Sequence, residues 1–307
     1  GNVSVFNCVF ENNNAVNANG GAIAASDGAT VHVEGCDFRE NVAGLFGGGI
    51  FLTGNATYAE VYDCLFTSHS ASSGGAIYVS EGSACTAEDS EFSNNTAAFD
   101  GGAVSVIGDG SSFSYCCFRE NTAGGFGGAV DNRADASTIL SNCLFADNTS
   151  VFGGGALYNL DSSPIVFEST FSSNVSNEEH GGAIHNDGTS FPSIESSLFC
   201  GNRGNASDTT TIEGHIYPTV ADVDYDFIGG NEFHPLCSTC QGDVNGDGAV
   251  DISDLIGIAI IMTWGECDDC LEDIDNNGVV DPDDIVAFVE LLSSRIDRPC
   301  TIECPYR

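Results

Sequence analysis

Lysine is absent from this chain. Its fixed positive charge comes from seven arginines (Arg39, Arg119, Arg133, Arg203, Arg295, Arg298 and Arg307), set against 45 acidic residues, for a formal net charge of −38. Such a surface repels nucleic acid and anionic membranes and attracts cations, so neither partner is expected. With no lysine, a lysine base for sugar-acid chemistry is excluded, and the arginines are scattered. Long apolar runs are missing as well. The longest, Leu255 to Trp264, falls well short of the roughly 20 residues that a membrane span needs. No secretory leader pattern is visible: the chain opens on Val3, Val5 and Cys8, already a strand pattern, as expected of a mature or trimmed product.

What is present is repetition. A phenylalanine recurs as Phe10, Phe38, Phe66, Phe92, Phe118, Phe145, Phe171 and Phe199, at intervals of 28, 28, 26, 26, 27, 26 and 28 residues. A glycine pair follows each of the first seven, from Gly20-Gly21 through Gly47-Gly48 to Gly181-Gly182. A fixed period in this range means stacked repeats. Within one period the apolar residues alternate in short bursts, as in Val31/Val33, Cys36/Phe38 and Ile50/Leu52, which is strand periodicity. Such a unit cannot bury a face alone; stacking each turn on the next does so. The expectation is a mainly β, right-handed parallel β-helix with three strands in each turn of about 27 residues.

Position by position, the columns predict their own environment. Five residues before the phenylalanine every copy is apolar (Val5, Val33, Val61, Ala87, Phe113, Leu140, Val166, Ile194), so this column faces inward. Two residues before it stand cysteines or serines (Cys8, Cys36, Cys64, Ser90, Cys116, Cys143, Ser169, Ser197), small enough to leave room for stacked rings; the thiols are expected to be free and buried. Three residues after it come Asn13, Asn41, Asn95, Asn121, Asn148, Asn174 and Asn202, with His69 as the exception. Asparagine tolerates a left-handed corner, and its amide bonds to the same amide one turn away. A second run, Asn132, Asn159 and Asn186, replaces the apolar Leu52, Val79 and Val106 of earlier turns and reads as an internal amide ladder. The Gly-Gly corners call for positive φ or for the absence of side-chain bulk.

These F-x-x-N and G-G-A-[ILV] motifs resemble the repeats of the polymorphic outer-membrane proteins over roughly the first two thirds of the chain. The resemblance implies a secreted surface passenger, often adhesive. The regular turns are expected to fade after Phe199, with Glu213-Gly214-His215-Ile216 a worn copy of the glycine corner and the rest, to 236, an irregular last turn and cap. Before Val3 there is no capping pattern, so either an N-terminal part or another chain is expected to cover that edge.

From 237 to 307 the pattern changes. Asp243, Asn245, Asp247, Asp251 and Asp254 fall at positions 1, 3, 5, 9 and 12 of a calcium loop, with Gly248 at 6 and the Ala249 carbonyl at 7. Asp273, Asp275, Asn277, Asp281 and Asp284 repeat this, with Gly278 and the Val279 carbonyl. Each loop leads into an apolar helix, Ile252 to Trp264 and Ile285 to Leu292. Two Ca2+ ions are expected. The tandem resembles a type I dockerin, a small α-helical module that docks on a cohesin through loop positions 10 and 11; here these are Ile252, Ser253, Pro282 and Asp283. Cys237, Cys240, Cys267, Cys270, Cys300 and Cys304 flank the loops, and disulfides are expected there, with a zinc site the rival.

Function is read at three levels. The leading expectation is a non-catalytic extracellular or cell-surface subunit, a rod that stacks end to end or docks on a cohesin-like or surface protein. The second is a polysaccharide lyase or hydrolase of the β-helix type anchored through its dockerin, for which Glu178, Glu179, His180 and His185 form the only suggestive cluster. The third is a carbohydrate-binding adhesin, with Tyr58, Tyr62, Tyr78, Tyr115 and Tyr158 as the candidate aromatic row.

Overall fold

Alternating inward residues separated by left-handed corners coil this chain into stacked turns. A computed structural model describes residues 1–108, 110–178 and 181–204, together with the backbone of the short strands Ile216–Tyr217, Asp226–Ile228 and Glu232–His234. The strands form four parallel sheets of nine, nine, eight and eight members, each taking one strand from every turn. The second turn shows the order: Thr30–Glu34, Asp37–Arg39, Val42–Ala43 and Ile50–Leu52.

Four strands per turn, rather than three, is the first correction. The additional strand has two residues, and only one of them, Ala43, points inward. A single alanine leaves no alternation for a sequence pattern to show.

The phenylalanine column is continuous. From Phe10 to Phe199 successive rings lie 4.6 to 5.0 Å apart with planes within 8° of parallel. Each such contact contributes about 0.5–1.5 kcal/mol beyond the area it buries. The backbone register runs on from Phe199 to Phe233, and from Ile184 to Ile216, which places Ile216 where the worn glycine corner predicts it.

The asparagine column is a hydrogen-bonded ladder. The Nδ2 of Asn95, Asn121, Asn148 and Asn174 donates to the Oδ1 one turn on, at 2.8 to 3.0 Å. The same Oδ1 accepts the backbone N–H of the asparagine one turn before at 3.0 Å. The corner chemistry differs from expectation in one respect. The left-handed residue is the one before each asparagine (Glu40 at φ 52°, Asn94 at 57°, Glu120 at 54°) and before His69 (Ser68 at 59°), so the asparagine is present for its amide and not for its φ. The glycine pair divides two tasks. Gly47 takes φ +66°, while a Cβ on Gly48 would lie 2.2 Å from the Gly75 carbonyl oxygen of the next turn.

The second ladder is present too. Asn132 donates to Asn159 at 3.0 Å and Asn159 to Asn186 at 2.7 Å, while Thr138 closes the first end at 2.7 Å. In the small-residue column, cysteine and serine are interchangeable because they make the same bonds. Each donates to the carbonyl two residues back, as Cys64 does to Tyr62 and Ser90 to Glu88. Each also accepts a backbone N–H from the turn before, as Ser90 does from Cys64. Cys36, Cys64, Cys116 and Cys143 are free and buried, and Cys8, in the first turn, is free and exposed. The dockerin-like module, the two calcium loops and the disulfides expected at 237–307 lie outside the described residues.

Candidate functional site

The outer face of the fourth sheet collects the most chemistry. Backbone register aligns Phe51, Tyr78, Ser105, Asp131, Tyr158 and His185 in one outward column. The next outward column holds Ile107, Arg133, Leu160 and Asp187. The alternation of the strand decides this: Val130 and Asn132 point in, so Asp131 and Arg133 point out.

Asp131 nevertheless has almost no solvent contact, at 1 % exposure. The Nε of Arg133 donates to its two oxygens at 2.9 and 3.0 Å, and Ser105 Oγ donates to Oδ2 at 3.1 Å. Burial pushes its carboxyl up to about 7, against the pull of the Arg133 guanidinium. Arg133 also reaches back one turn, with Nη2 at 2.9 Å from Asp100 Oδ2, while Asp100 Oδ1 accepts the Phe126 N–H at 3.0 Å. On its other side the guanidinium lies 5.4 Å from the centre of the Tyr158 ring, and the Tyr158 hydroxyl donates to Asp187 Oδ2 at 3.3 Å. One arginine therefore ties together side chains from several consecutive turns.

Aromatic groups flank this polar centre. Phe46 stacks on Tyr78 at 4.4 Å, and Phe126 stacks on Tyr158 at 4.3 Å, with His185 edge-on to Tyr158 at 5.4 Å. The phenylalanines come from the corner just before the glycine pair and fold over the sheet. This explains why Tyr78 and Tyr158 are buried although they face outward.

The predicted site residues separate accordingly. Of the five tyrosines, Tyr78 and Tyr158 share this face but are covered; Tyr58 and Tyr62 lie on the first sheet, and Tyr115 sits at a corner. They do not form one exposed row. Of the enzyme-like cluster, Glu178 is exposed and His185 is buried against Tyr158, while Glu179 and His180 lie outside the described residues. The residues expected to bind calcium, Asp243 through Asp284, and those expected to dock a partner, Ile252, Ser253, Pro282 and Asp283, are also outside them. The Asp100–Asp131–Arg133 group was not anticipated from the sequence. The only signal for it was a charged pair, Asp131 and Arg133, at positions that are Ser105 and Ile107 one turn earlier.

A second feature lies on the first sheet, where His32, Glu34, Tyr58, Glu60, Tyr62 and Glu88 line an open groove of about 380 Å³. His32 Nδ1 is 3.1 Å from Glu60 and Nε2 is 3.4 Å from Glu34. Among the described residues no group of histidine, cysteine and carboxylate side chains is arranged to hold a metal ion, and no helix among them is long and apolar enough to cross a membrane.

Residues 46–199 match the family model of the right-handed β-helix region. The chain belongs to the right-handed β-helix family. No curated protein and no solved structure matches it. In a right-handed β-helix each outward column is a row of equivalent positions one turn apart, and in these columns the buried ion pair falls at Asp131 and Arg133. Asp131, with both oxygens bound by Arg133 and almost no solvent contact, fastens neighbouring turns together.

Proposed function

We propose that this chain is a secreted, extracellular structural or adhesive subunit. It is a stiff β-helical rod that assembles with itself or with a neighbouring chain, into a fibre or surface layer, and carries a calcium-dependent docking module at 237–307. The observation that supports this most directly is the unbroken phenylalanine stack, paired with an amide ladder along the same turns. A column in which every ring touches the next resists bending, and no turn can slip register without breaking buried amide bonds.

The composition supports the setting. A charge of −38 with no lysine keeps rods apart until cations screen them. The resemblances to outer-membrane repeats and to a type I dockerin support a surface role with a docking end. Asp243, Asn245, Asp247, Asp251 and Asp254 would supply one calcium site, Asp273, Asp275, Asn277, Asp281 and Asp284 the other, and Ile252, Ser253, Pro282 and Asp283 would face a cohesin-like partner. The role is non-catalytic, a reading supported by the way Asp131 is enclosed.

Electron microscopy of the full chain with calcium tests the proposal. Elongated particles that join into longer assemblies as concentration rises are expected. Particles that stay strictly monomeric at high concentration, with and without calcium, would remove the assembly.

A further inference from the structure

At the corner before the glycine pair, Leu45, Ser72, Phe99, Gly125 and Phe152 form one column. Backbone bonds fix it: Ser72 N–H to Leu45 O at 2.7 Å, Phe99 N–H to Ser72 O at 2.8 Å, Gly125 N–H to Phe99 O at 2.6 Å and Phe152 N–H to Gly125 O at 3.0 Å. Phe99 is 63 % exposed and Phe152 39 %. Between them the chain has Gly124 and Gly125, which carry no side chain. The two residues stand two turns apart, about 10 Å at ordinary strand spacing, and the Phe152 ring leans on Phe126 at 5.6 Å, so Phe126 bounds one side of the glycine notch between them.

The notch has a polar side. A Cβ at Gly125 would fall 2.4 Å from Asp100 Oδ1, so the carboxylate lies directly beside the missing side chain. Asp100 and its partner Arg133 are each about a quarter exposed, at 22 % and 26 %. Their positions are preset by the Phe126 N–H and by Asp131, so the exposed part of each side chain is held in place before a ligand arrives.

We propose that this notch binds a linear polysaccharide without acidic groups. The apolar faces of the sugars rest on Phe99 and Phe152, and their hydroxyl or amino edges meet the Asp100–Arg133 pair. Three observations converge on that ligand. Two exposed aromatic residues in one column, two turns apart with a carboxylate between them, suit an extended chain lying along the rod. The charge-assisted pair beside the gap recognises hydroxyl and amino edges better than an apolar partner would. The net charge of −38 repels uronic-acid polymers and tolerates neutral or amino-bearing ones. The inference rests on the adhesive reading above and supplies its ligand.

Retention of the calcium-loaded full chain on insoluble β-glucan, xylan, chitosan and polygalacturonate is the test. Retention is expected on at least one of the first three and not on polygalacturonate. Phe99→Ala combined with Phe152→Ala should weaken it at least tenfold, whereas Phe191→Ala, at another exposed phenylalanine, should leave it unchanged. Circular dichroism and particle length of the double variant must match the parent. Absence of retention on all three non-acidic matrices overturns the proposal, as does equal retention by the double variant, or retention on polygalacturonate alone. Assembly of the rods, followed separately by microscopy, reports on the adhesive-rod reading whatever the matrices show.

Discussion

His69 is the residue at which the repeat departs from its own rule. It stands in the asparagine ladder, where its Nδ1 accepts the Asn41 N–H at 3.0 Å and its own N–H donates to Asn95 at 3.0 Å. Its Nε2 is buried without a partner. Burial drives its pKa down to about 4. The folded-state value thus lies below the unfolded value near 6.5, so the stability contribution is complete above that pH and is lost as pH falls towards 4, by about 3 kcal/mol in all. His69→Asn restores the amide; it should stabilise the fold at neutral pH by about 1 kcal/mol, and the advantage over the parent should widen steadily between pH 6.5 and 4 in denaturant titrations. A gap that stays constant with pH would show that His69 is not buried as described. The thiols make a second residue-scale prediction. Desolvation raises Cys64 and Cys85 to about 12, so in the native protein a thiol reagent should label Cys8 and leave Cys36, Cys64, Cys85, Cys116 and Cys143 unmodified until denaturant is added. Rapid labelling of Cys64 would contradict the packing. The small-residue column was legible as space for rings; its second role, bridging turns through Sγ and Oγ, was not, because it depends on a carbonyl two residues away and an N–H one turn away.

At the scale of elements, the fourth sheet shows how an outward column can be buried. Asp131 and Arg133 replace Ser105 and Ile107 of the preceding turn. Removing one charge from such a pair leaves the other without its main partner, and Arg133→Ile alone should cost about 3 kcal/mol. Asp131→Ser together with Arg133→Ile copies the earlier turn and should return most of that loss, giving a coupling energy of more than about 1 kcal/mol in a double-mutant cycle. Additive effects would mean the two charges do not depend on each other. The sheet count also belongs to this scale. Three strands per turn were readable because each has alternating apolar residues; the Val42–Ala43 strand has one inward alanine and becomes a strand only by pairing with its neighbours above and below. Tyr78 and Tyr158 show the opposite limit. Their outward direction follows from strand alternation, but their burial under Phe46 and Phe126 depends on how a distant corner folds over the sheet.

At the scale of the whole molecule, the proposed rod and its docking module make a prediction about calcium. Titration calorimetry of the full chain should find two sites. Asp243→Ala and Asp273→Ala should each remove one, and chelator should abolish docking without unfolding the β-helix, whose turns are joined by stacked rings and side-chain amide bonds. Loss of β-sheet signal on chelation would tie the metal to the rod instead.

The sequence by itself determined the period, the inward columns, both amide ladders and the glycine corners. In a stacked repeat each turn presents the same side chain to its own copy, so a column in the alignment of turns is already a contact in space. Only the tertiary structure decided what occurs where columns of different kind meet. It showed which residue takes the left-handed φ, that Arg133 encloses Asp131, and that Phe99 and Phe152 remain exposed on the turns either side of Gly125. Those outcomes depend on distances between faces and corners, which no spacing within a single turn records.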